Sequence, residues 1–564
     1  MATCKMKIKI AQLYIKTGQI KSNAEKMLHI ISEAKNKNCD LVVFPATALT
    51  GFKVEKQLFR EEFWEEAEFW RNKLIDASDD LTVIWGDLLV EKHCFCDTFF
   101  AYQNKKLIST PKSNQVSILG LLDSTIEILL PNDEPISSNS NLTLRLARDS
   151  YQKDTSPAYI EDGEKIVSDY GYINSVGIND HGSFIEILQG QSGWKNRNDK
   201  FTPLLPYFKE GSVSFTTSLK LPEPNESIPK MELLFQSLCY SGKYFLDHLG
   251  LSKVLIGLSG GIDSALSTCI YSQILSSKNL LLVNMPSRFN SDVTKSIAAK
   301  MAKEINCWYG VMPIEEIIHS TLMGYKSTTF IRNDEELTLP LSTLTIENLQ
   351  ARTRTSQILS TLSSGFGGVI ACNSNKSETI VGYGTLYGDS AGFLTLIGDL
   401  WKIEIYELLA YLKEKPEFKN AIPNELFTTP PSAELSENHD VTKGLGDPIH
   451  YSYHDKLFQS FCEWVPNVTP LVALRWYQEG ILEEKLNLPK GKVAELFKSP
   501  TEFIQDLEYW WRQYNGLSSA KRIQSAPALS LSSRSFGKIE ENQIPWIPTQ
   551  AYEKLKNEIL SRGE

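Results

Sequence analysis

Long apolar runs are missing from this 564-residue chain. The longest, such as Val254–Leu258 and Leu280–Val283, have the length of buried strands and fall far short of the roughly 18–20 residues that cross a membrane. The opening MATCKMKIKIAQLYI alternates apolar and charged residues like a strand and lacks the apolar core of a secretory signal. Cysteine is scarce: nine residues, an odd number, unlike a small disulfide-stapled secreted domain. Free thiols in a reducing cytoplasm are expected. Positive charge is in the minority, 58 Lys and Arg against 68 Asp and Glu, for a formal net charge of −10. A chain this acidic has no overall electrostatic footprint for nucleic acid or an anionic membrane. With 42% hydrophobic and 22% charged residues it is not a disordered chain either. Neither a G-x-x-x-x-G-K-[ST] loop nor a dinucleotide G-x-G-x-x-G occurs.

Two α/β stretches are present, with a weaker middle. From Lys7 the pattern predicts a strand at Ile8–Leu13, a helix at Ser22–Lys35 and a strand at Leu41–Phe44. Further strand patterns follow at Leu81–Trp85, Thr98–Tyr102, Thr143–Leu146 and Gly171–Asn174. Phe208–Lys230 is rich in Ser, Pro and charge and reads as a connector. An amphipathic helix, Met231–Leu249, then leads to strand Lys253–Leu258, helix Ser264–Leu275 and strand Leu280–Met285, a βαβ series that predicts a doubly wound parallel sheet. The expected organisation is a domain at 1–207, a linker at 208–230, a second domain at 231–540 and a tail of little periodicity at 541–564.

The most informative segment is Ser259-Gly260-Gly261-Ile262-Asp263-Ser264, placed between an apolar strand and a helix. Two glycines allow a tight turn and close approach to a ligand. The helix start offers N–H groups and a positive dipole end to an anion. A bare Ser-Gly-Gly is no more than a capped turn. Here Asp263 adds a carboxylate, which suits a phosphate site that also holds Mg²⁺. Downstream stand Glu347-Asn348-Leu-Gln350-Ala-Arg352-Thr-Arg354, Asn373-Ser-Asn375-Lys376-Ser-Glu378, Gly382-Tyr-Gly-Thr-Leu-Tyr-Gly388-Asp389, Asp399-Leu-Trp-Lys402, Pro430-Pro-Ser432-Ala-Glu434 and Lys521-Arg522-Ile-Gln524. On a helix, Asn348 with Arg352 and Gln350 with Arg354 are i,i+4 pairs, and arginines facing a cleft grip a polyanion bidentately.

SGGIDS resembles the PP-loop of the N-type ATP pyrophosphatases, and the ordered motif set across about Met231–Gly537 resembles the NAD synthetase family. The resemblance implies a PP-loop fold and ATP-dependent amidation of deamido-NAD with free ammonia or ammonia from glutamine. It assigns ATP contacts to Ser259, Gly260, Gly261, Ile262, Asp263, Ser264, Asn373, Lys402 and Ser432. It assigns Mg²⁺ to Asp263 and Glu378, and deamido-NAD to Asn348, Arg352, Glu378, Asp389, Lys521 and Arg522. Asp263, Glu378, Asp389 and Lys402 form the implied catalytic set. Asn373 stands where the family has Thr. The family also implies at least a homodimer through the synthetase domains. His450 and His454, an i,i+4 pair beside Asp455, read as packing or capping residues, since a third metal ligand is not evident. Another PP-loop carboxylate ligase, or a non-catalytic scaffold with both domains degenerate, are the competing readings.

Residues 5–205 resemble the nitrilase (carbon–nitrogen hydrolase) family, an αββα sandwich that serves as the glutaminase in synthetases of this length. Phe44-Pro-Ala46-Thr-Ala-Leu-Thr-Gly51 and Asn174-Ser-Val-Gly-Ile-Asn-Asp180 carry the likeness, with Leu144-Arg-Leu-Ala147-Arg148-Asp149 in a third motif position. Amide hydrolysis in that family needs a carboxylate base, a lysine and a thiolate. The glutamate position is Ala46 and the cysteine position is Ala147, which leaves Lys112 alone. Cys94 and Cys96 precede that lysine and read as small residues near a strand. The expectation is therefore a degenerate glutaminase domain, with ammonia taken free or from a separate supplying protein. Arg148, in place of an acidic residue, fills space or binds an anion.

Overall fold

The computed structural model describes residues 6–91, 94–109, 117–121, 124–135, 140–155, 158–217, 221, 227–437, 446–538 and 544–562. The chain divides into two compact units, Met1–His181 with Ile185–Lys230, and Gly182–Phe184 with Met231–Glu564.

The first unit holds two six-stranded sheets. One runs, in spatial order, Gly211–Thr216, Lys7–Gln12, Leu41–Val43, Thr82–Glu91, Cys94–Gln103 and Lys106–Ser109. The other runs Thr202–Pro203, Gly193–Lys195, Asp169–Ile173, Leu142–Leu146, Ser124–Leu129 and Ser117–Leu121. Each has a parallel centre and antiparallel edges. Strand alternation sorts the side chains. Ile8 and Ile10 join Leu144 and Leu146 in one core between the sheets, while Lys9 points the other way and pairs with Glu33 at 2.9 Å. Helix Ile20–Asn36 lays Ala24, Met27, Ile31 and Ala34 on the outer face of the first sheet, the spacing of a helix stripe. Opposite, helix Ala158–Lys165 supplies Tyr159 to a core with Tyr170 and Tyr172. This is an αββα sandwich.

The second unit is built on a parallel sheet in the order Ala528–Ser530, Leu394–Thr395, Val369–Cys372, Val254–Gly257, Leu280–Asn284 and Trp308–Val311. Val254–Gly257 is flanked by a strand close after it and by one more than a hundred residues later. The chain therefore winds in opposite directions from this strand, and a doubly wound sheet opens its ligand crevice at the carboxyl ends of the strands at that point. Ser259–Gly261 and Asn373 both lie at that edge. A separate helical core holds Phe458, Phe461, Leu474, Leu507 and Trp510.

Two expectations are corrected. Part of the supposed linker, Gly211–Thr216, is a strand paired antiparallel with Lys7–Gln12, so the first unit extends beyond residue 207. The supposed tail contains helix Gln550–Arg562, whose Tyr552 and Ile559 are buried in the helical core.

Candidate active site

The strand–turn–helix at 254–274 sets the phosphate loop. Gly260 has φ +87°, and a Cβ there would sit 2.1 Å from the Thr294 carbonyl oxygen, so only glycine fits. Ser259 Oγ accepts from the Gly261 N–H at 3.1 Å and lies 3.2 Å from Ser264 Oγ. Ser264 Oγ donates to the Gly261 carbonyl at 3.0 Å. The loop is thus held open by its own hydroxyls at a helix start.

Facing it, Lys402 Nζ donates to Asp263 Oδ2 at 2.6 Å and to Glu378 Oε1 at 2.9 Å. Asn375 Nδ2 donates to Asp263 Oδ1 at 3.0 Å, while its Oδ1 caps the helix carrying Glu378 by accepting from the Glu378 N–H at 3.0 Å. The single Tyr451 hydroxyl proton is shared between Asp447 Oδ2 at 2.9 Å and Glu378 Oε1 at 3.1 Å. Two carboxylates, Asp263 and Glu378, therefore pair with one ammonium, and Asp447, held by Tyr451, adds its charge from further away. Burial, together with repulsion from Glu378, raises the carboxyl pKa of Asp263 and of Asp447. Burial opposes the charge on Lys402, yet Asp263 and Glu378 push its pKa well above the usual lysine range. The excess of carboxylate beside an anion-binding loop is the donor set a hard divalent cation takes.

Asp263, Glu378, Lys402 and Asp447 line one cavity of about 310 Å³, within the size of small-molecule sites. The expected ATP residues Ser259, Gly260, Gly261, Ile262, Asp263, Ser264, Asn373, Lys402 and Ser432 all contribute to its wall, as do Glu378 and Asp389. Asn373 Nδ2 donates to the Gly257 carbonyl at 3.2 Å, and its buried Oδ1 has no hydrogen-bond partner among the described residues. Val283, Met285, Leu359 and Ile370 supply an apolar side.

A second group gathers on the Gly382–Gly388 loop. Asp389 Oδ1 accepts from the Thr385 N–H at 2.8 Å, and Asn348 Oδ1 accepts from the Thr385 hydroxyl at 2.8 Å. Arg352 Nε donates to the Leu386 carbonyl at 3.2 Å, and Lys521 Nζ to the carbonyls of Gly382 and Gly384, both at 2.7 Å. Burial raises the Asp389 pKa and lowers that of Lys521. Arg522 is not brought to this group. Its guanidinium donates inward to the carbonyls of Ile380 at 2.6 Å and Tyr514 at 3.2 Å, and packs over the Tyr514 and Phe536 rings.

The sequence reading gave no site role to Asp447, Tyr451 or Tyr383, and named Arg354 only with Arg352 as arginines that could grip a polyanion. Asp447 and Tyr451 are an i,i+4 pair in the sequence, a spacing that does not by itself mark a site. His454, by contrast, is packed and capping: its buried Nδ1 accepts from the His450 N–H at 2.8 Å and its Nε2 meets Asp506 at 3.0 Å.

In the first unit the two alanines meet. The Ala46 N–H donates to the Ala147 carbonyl at 3.3 Å, and both side chains are buried. Gly86 packs against Ala46, since a Cβ on it would lie 2.4 Å from Ala46 Cα. Arg148 forks onto Asp97 at 2.6 and 2.8 Å with its guanidinium 4.0 Å from the Phe52 ring centroid. It is paired within the unit, in line with filling space. Lys112, His93 and the Cys94 side chain lie outside the described residues, and Cys96 is a half-buried free thiol.

Residues 234–477 match the NAD synthase family model and residues 7–90 the carbon–nitrogen hydrolase family model. A glutamine-dependent NAD(+) synthetase from Cytophaga hutchinsonii superposes with a TM-score of 0.77 at 16% identity, covering 99% of this chain and 100% of that one. The fold is that of the two-domain NAD synthetases. The glutamine-dependent NAD⁺ synthetase of Acinetobacter baumannii, in complex with adenosine diphosphate, superposes with a TM-score of 0.65 at 22% identity, covering 96% and 98%. In sequence, the glutamine-dependent NAD(+) synthetases of Synechocystis and Acinetobacter baylyi are 26% and 25% identical. The first alignment covers 94% of this chain and 97% of its relative; the second covers 86% and 92%. A stretch that matches the NAD synthase family model thus follows one that matches the carbon–nitrogen hydrolase model. Among the described residues no helix is long and apolar enough to cross a membrane.

Proposed function

We propose that this protein joins ammonia to deamido-NAD at the expense of ATP, giving NAD, AMP and pyrophosphate. The observation that carries the reading is the single cavity in which the Ser259–Ser264 loop faces Asp263, Lys402 and Glu378. The nicotinate carboxylate oxygen attacks the α-phosphorus of ATP, the bond to the bridging oxygen breaks, and its electron pair leaves with pyrophosphate. Ammonia then attacks the activated carboxyl carbon, loses a proton, and AMP departs. The loop N–H groups and Lys402 hold charge that develops on the phosphates, and the site positions the two reactants. Asp263 and Glu378 are the residues that would hold Mg²⁺, which supplies neutralisation of the phosphate charge. Asn348, Arg352, Asp389 and Lys521, gathered on one loop, are the proposed deamido-NAD contacts.

The nitrogen source is free ammonia or ammonia from a separate protein. Ala46 and Ala147 touch through their backbones where the nitrilase-like pattern places a base and a nucleophile, and a methyl group can neither attack nor take a proton. The relatives named above are glutamine-dependent, so the nitrogen source separates this chain from them. The test is NAD formation from deamido-NAD, ATP and Mg²⁺ with ammonium chloride or glutamine in parallel. Turnover with ammonium and none with glutamine is expected. Equal turnover with glutamine would overturn the ammonia reading, and no turnover with either would overturn the synthetase reading.

A further inference from the structure

Arg354 lies on a π-helical stretch, Thr353–Leu359, that continues helix Thr343–Arg352. Such widened turns re-aim side chains and recur at functional sites. Arg352 and Arg354, two positions apart, face different sides of this helix. Arg352 reaches the Leu386 carbonyl on the Gly382–Gly388 loop. Arg354 turns into the cavity wall, where Nε donates to the Met285 carbonyl at 3.0 Å and Nη2 to Asn290 Oδ1 at 3.2 Å. Met285 and Asn290 follow strand Leu280–Asn284, and the adjoining Thr294 carbonyl is the atom that crowds Gly260. Arg354 therefore belongs to the phosphate-loop side of the site.

Its partners are neutral. Among the described residues no carboxylate stands within ion-pair distance of Arg354, and Glu434 and Asp389 act on it only from further away. Lys402, the other cation of the cavity wall, is already matched by Asp263 and Glu378. Burial pulls the Arg354 pKa down to about 10, which still leaves it charged at neutral pH. A half-buried charge without a counter-ion is unfavourable, and the remaining donors of a guanidinium fork suit phosphate oxygens bidentately.

We propose that Arg354 is a nucleotide-phosphate contact, binding the oxygens of ATP that leave as pyrophosphate. This rests on the synthetase reading. As the carboxylate oxygen–phosphorus bond forms and the bond to the bridging oxygen breaks, negative charge builds on the departing pyrophosphate; Arg354 meets that charge without taking up or giving a proton. The contact is distinct from the grip of Arg352 and Lys521 on the other substrate.

The full-length protein with Arg354→Met and Arg354→Lys tests it, by calorimetric titration with Mg²⁺ and α,β-methylene-ATP, pyrophosphate, AMP or deamido-NAD. The methionine variant is expected to bind α,β-methylene-ATP and pyrophosphate about 10- to 100-fold more weakly, the scale of one lost charge-assisted contact. AMP and deamido-NAD affinities stay within about twofold, which also shows that the variant is folded. The lysine variant recovers part of the loss. A selective loss of deamido-NAD affinity would overturn the proposal by moving Arg354 to the dinucleotide, and an equal loss for all four ligands would reduce it to a structural residue. Binding is read without turnover, so absence of NAD synthesis by the unmodified protein is seen separately, as failure of the synthetase reading.

Discussion

Two buried lysines of the second unit show how the same residue type takes different roles. Lys402 faces the cavity, whereas Lys376 is shut inside a network with Asp399 at 2.5 Å, Glu463 at 2.6 Å and Ser532 at 3.1 Å. Burial alone would lower the Lys376 pKa, but Asp399 and Glu463 more than reverse this. Removing one partner of such a network leaves buried charge behind, at a cost of about 3–5 kcal/mol. Lys376→Met is therefore expected to lower unfolding stability by that order, read from denaturant curves, with little change in the KM for ATP of the folded fraction. Asp455 offers a second residue-scale test. Burial holds its carboxyl up at about 7 against the Ile403 N–H bond that favours ionisation. A free aspartate titrates near about 3.9, so the native state binds this proton more tightly. Its contribution to stability is full below about pH 4 and is lost as pH rises towards about 7. Asp455→Asn should flatten that part of the stability profile; urea midpoints that still fall with the same slope would show that Asp455 ionises normally. Neither role was legible beforehand, because both depend on which distant side chains enclose the residue.

Elements were legible where one face of a regular period is buried. Val254–Gly257, Leu280–Asn284 and Lys230–His248 fall within a residue or two of their expected spans. Gly211–Thr216 was missed although Ser-Val-Ser-Phe-Thr alternates, with Val213 and Phe215 packed against the core, because the run is short and lies in a stretch rich in Ser, Pro and charge that reads as a connector. Gln550–Arg562 buries only Tyr552 and Ile559, a stripe too thin to read. The SGGIDS turn was legible because its glycines sit between unmistakable elements; the π turn at 353–359 was not, since its composition does not differ from that of an α-helix. The turn also yields the sharpest element-scale prediction. Gly260→Ala forces a Cβ against the Thr294 carbonyl at positive φ, a strain of at least about 1–3 kcal/mol. Thermal unfolding should move down by that order, and titration with an ATP analogue should show binding abolished. Normal binding by the alanine variant would mean that the loop reshapes freely and does not cradle phosphate.

At the scale of the molecule, two α/β units in series were legible from their separate motif sets, whereas assembly rests on surface that a sequence does not display. The outer edge of the second unit's sheet is strand Trp308–Val311, with no further strand beyond it among the described residues. Trp308 is 57% exposed, and Met323, Ile331 and Leu344 add exposed apolar side chains at 56%, 72% and 64%. An unpaired edge strand is prone to pairing with another chain, and exposed apolar side chains are what a partner surface covers. Burying one such side chain contributes about 1.5–3 kcal/mol, so a copy of this chain that covers several would be held firmly. We therefore expect the protein to sediment as at least a dimer, and Trp308→Glu with Ile331→Glu to weaken dimerisation by about tenfold or more without changing the circular dichroism spectrum. A chain that sediments as a monomer at tens of micromolar would remove the case for assembly through this edge. Retained turnover with ammonium by the double variant would further show that each copy's cavity is complete within one chain.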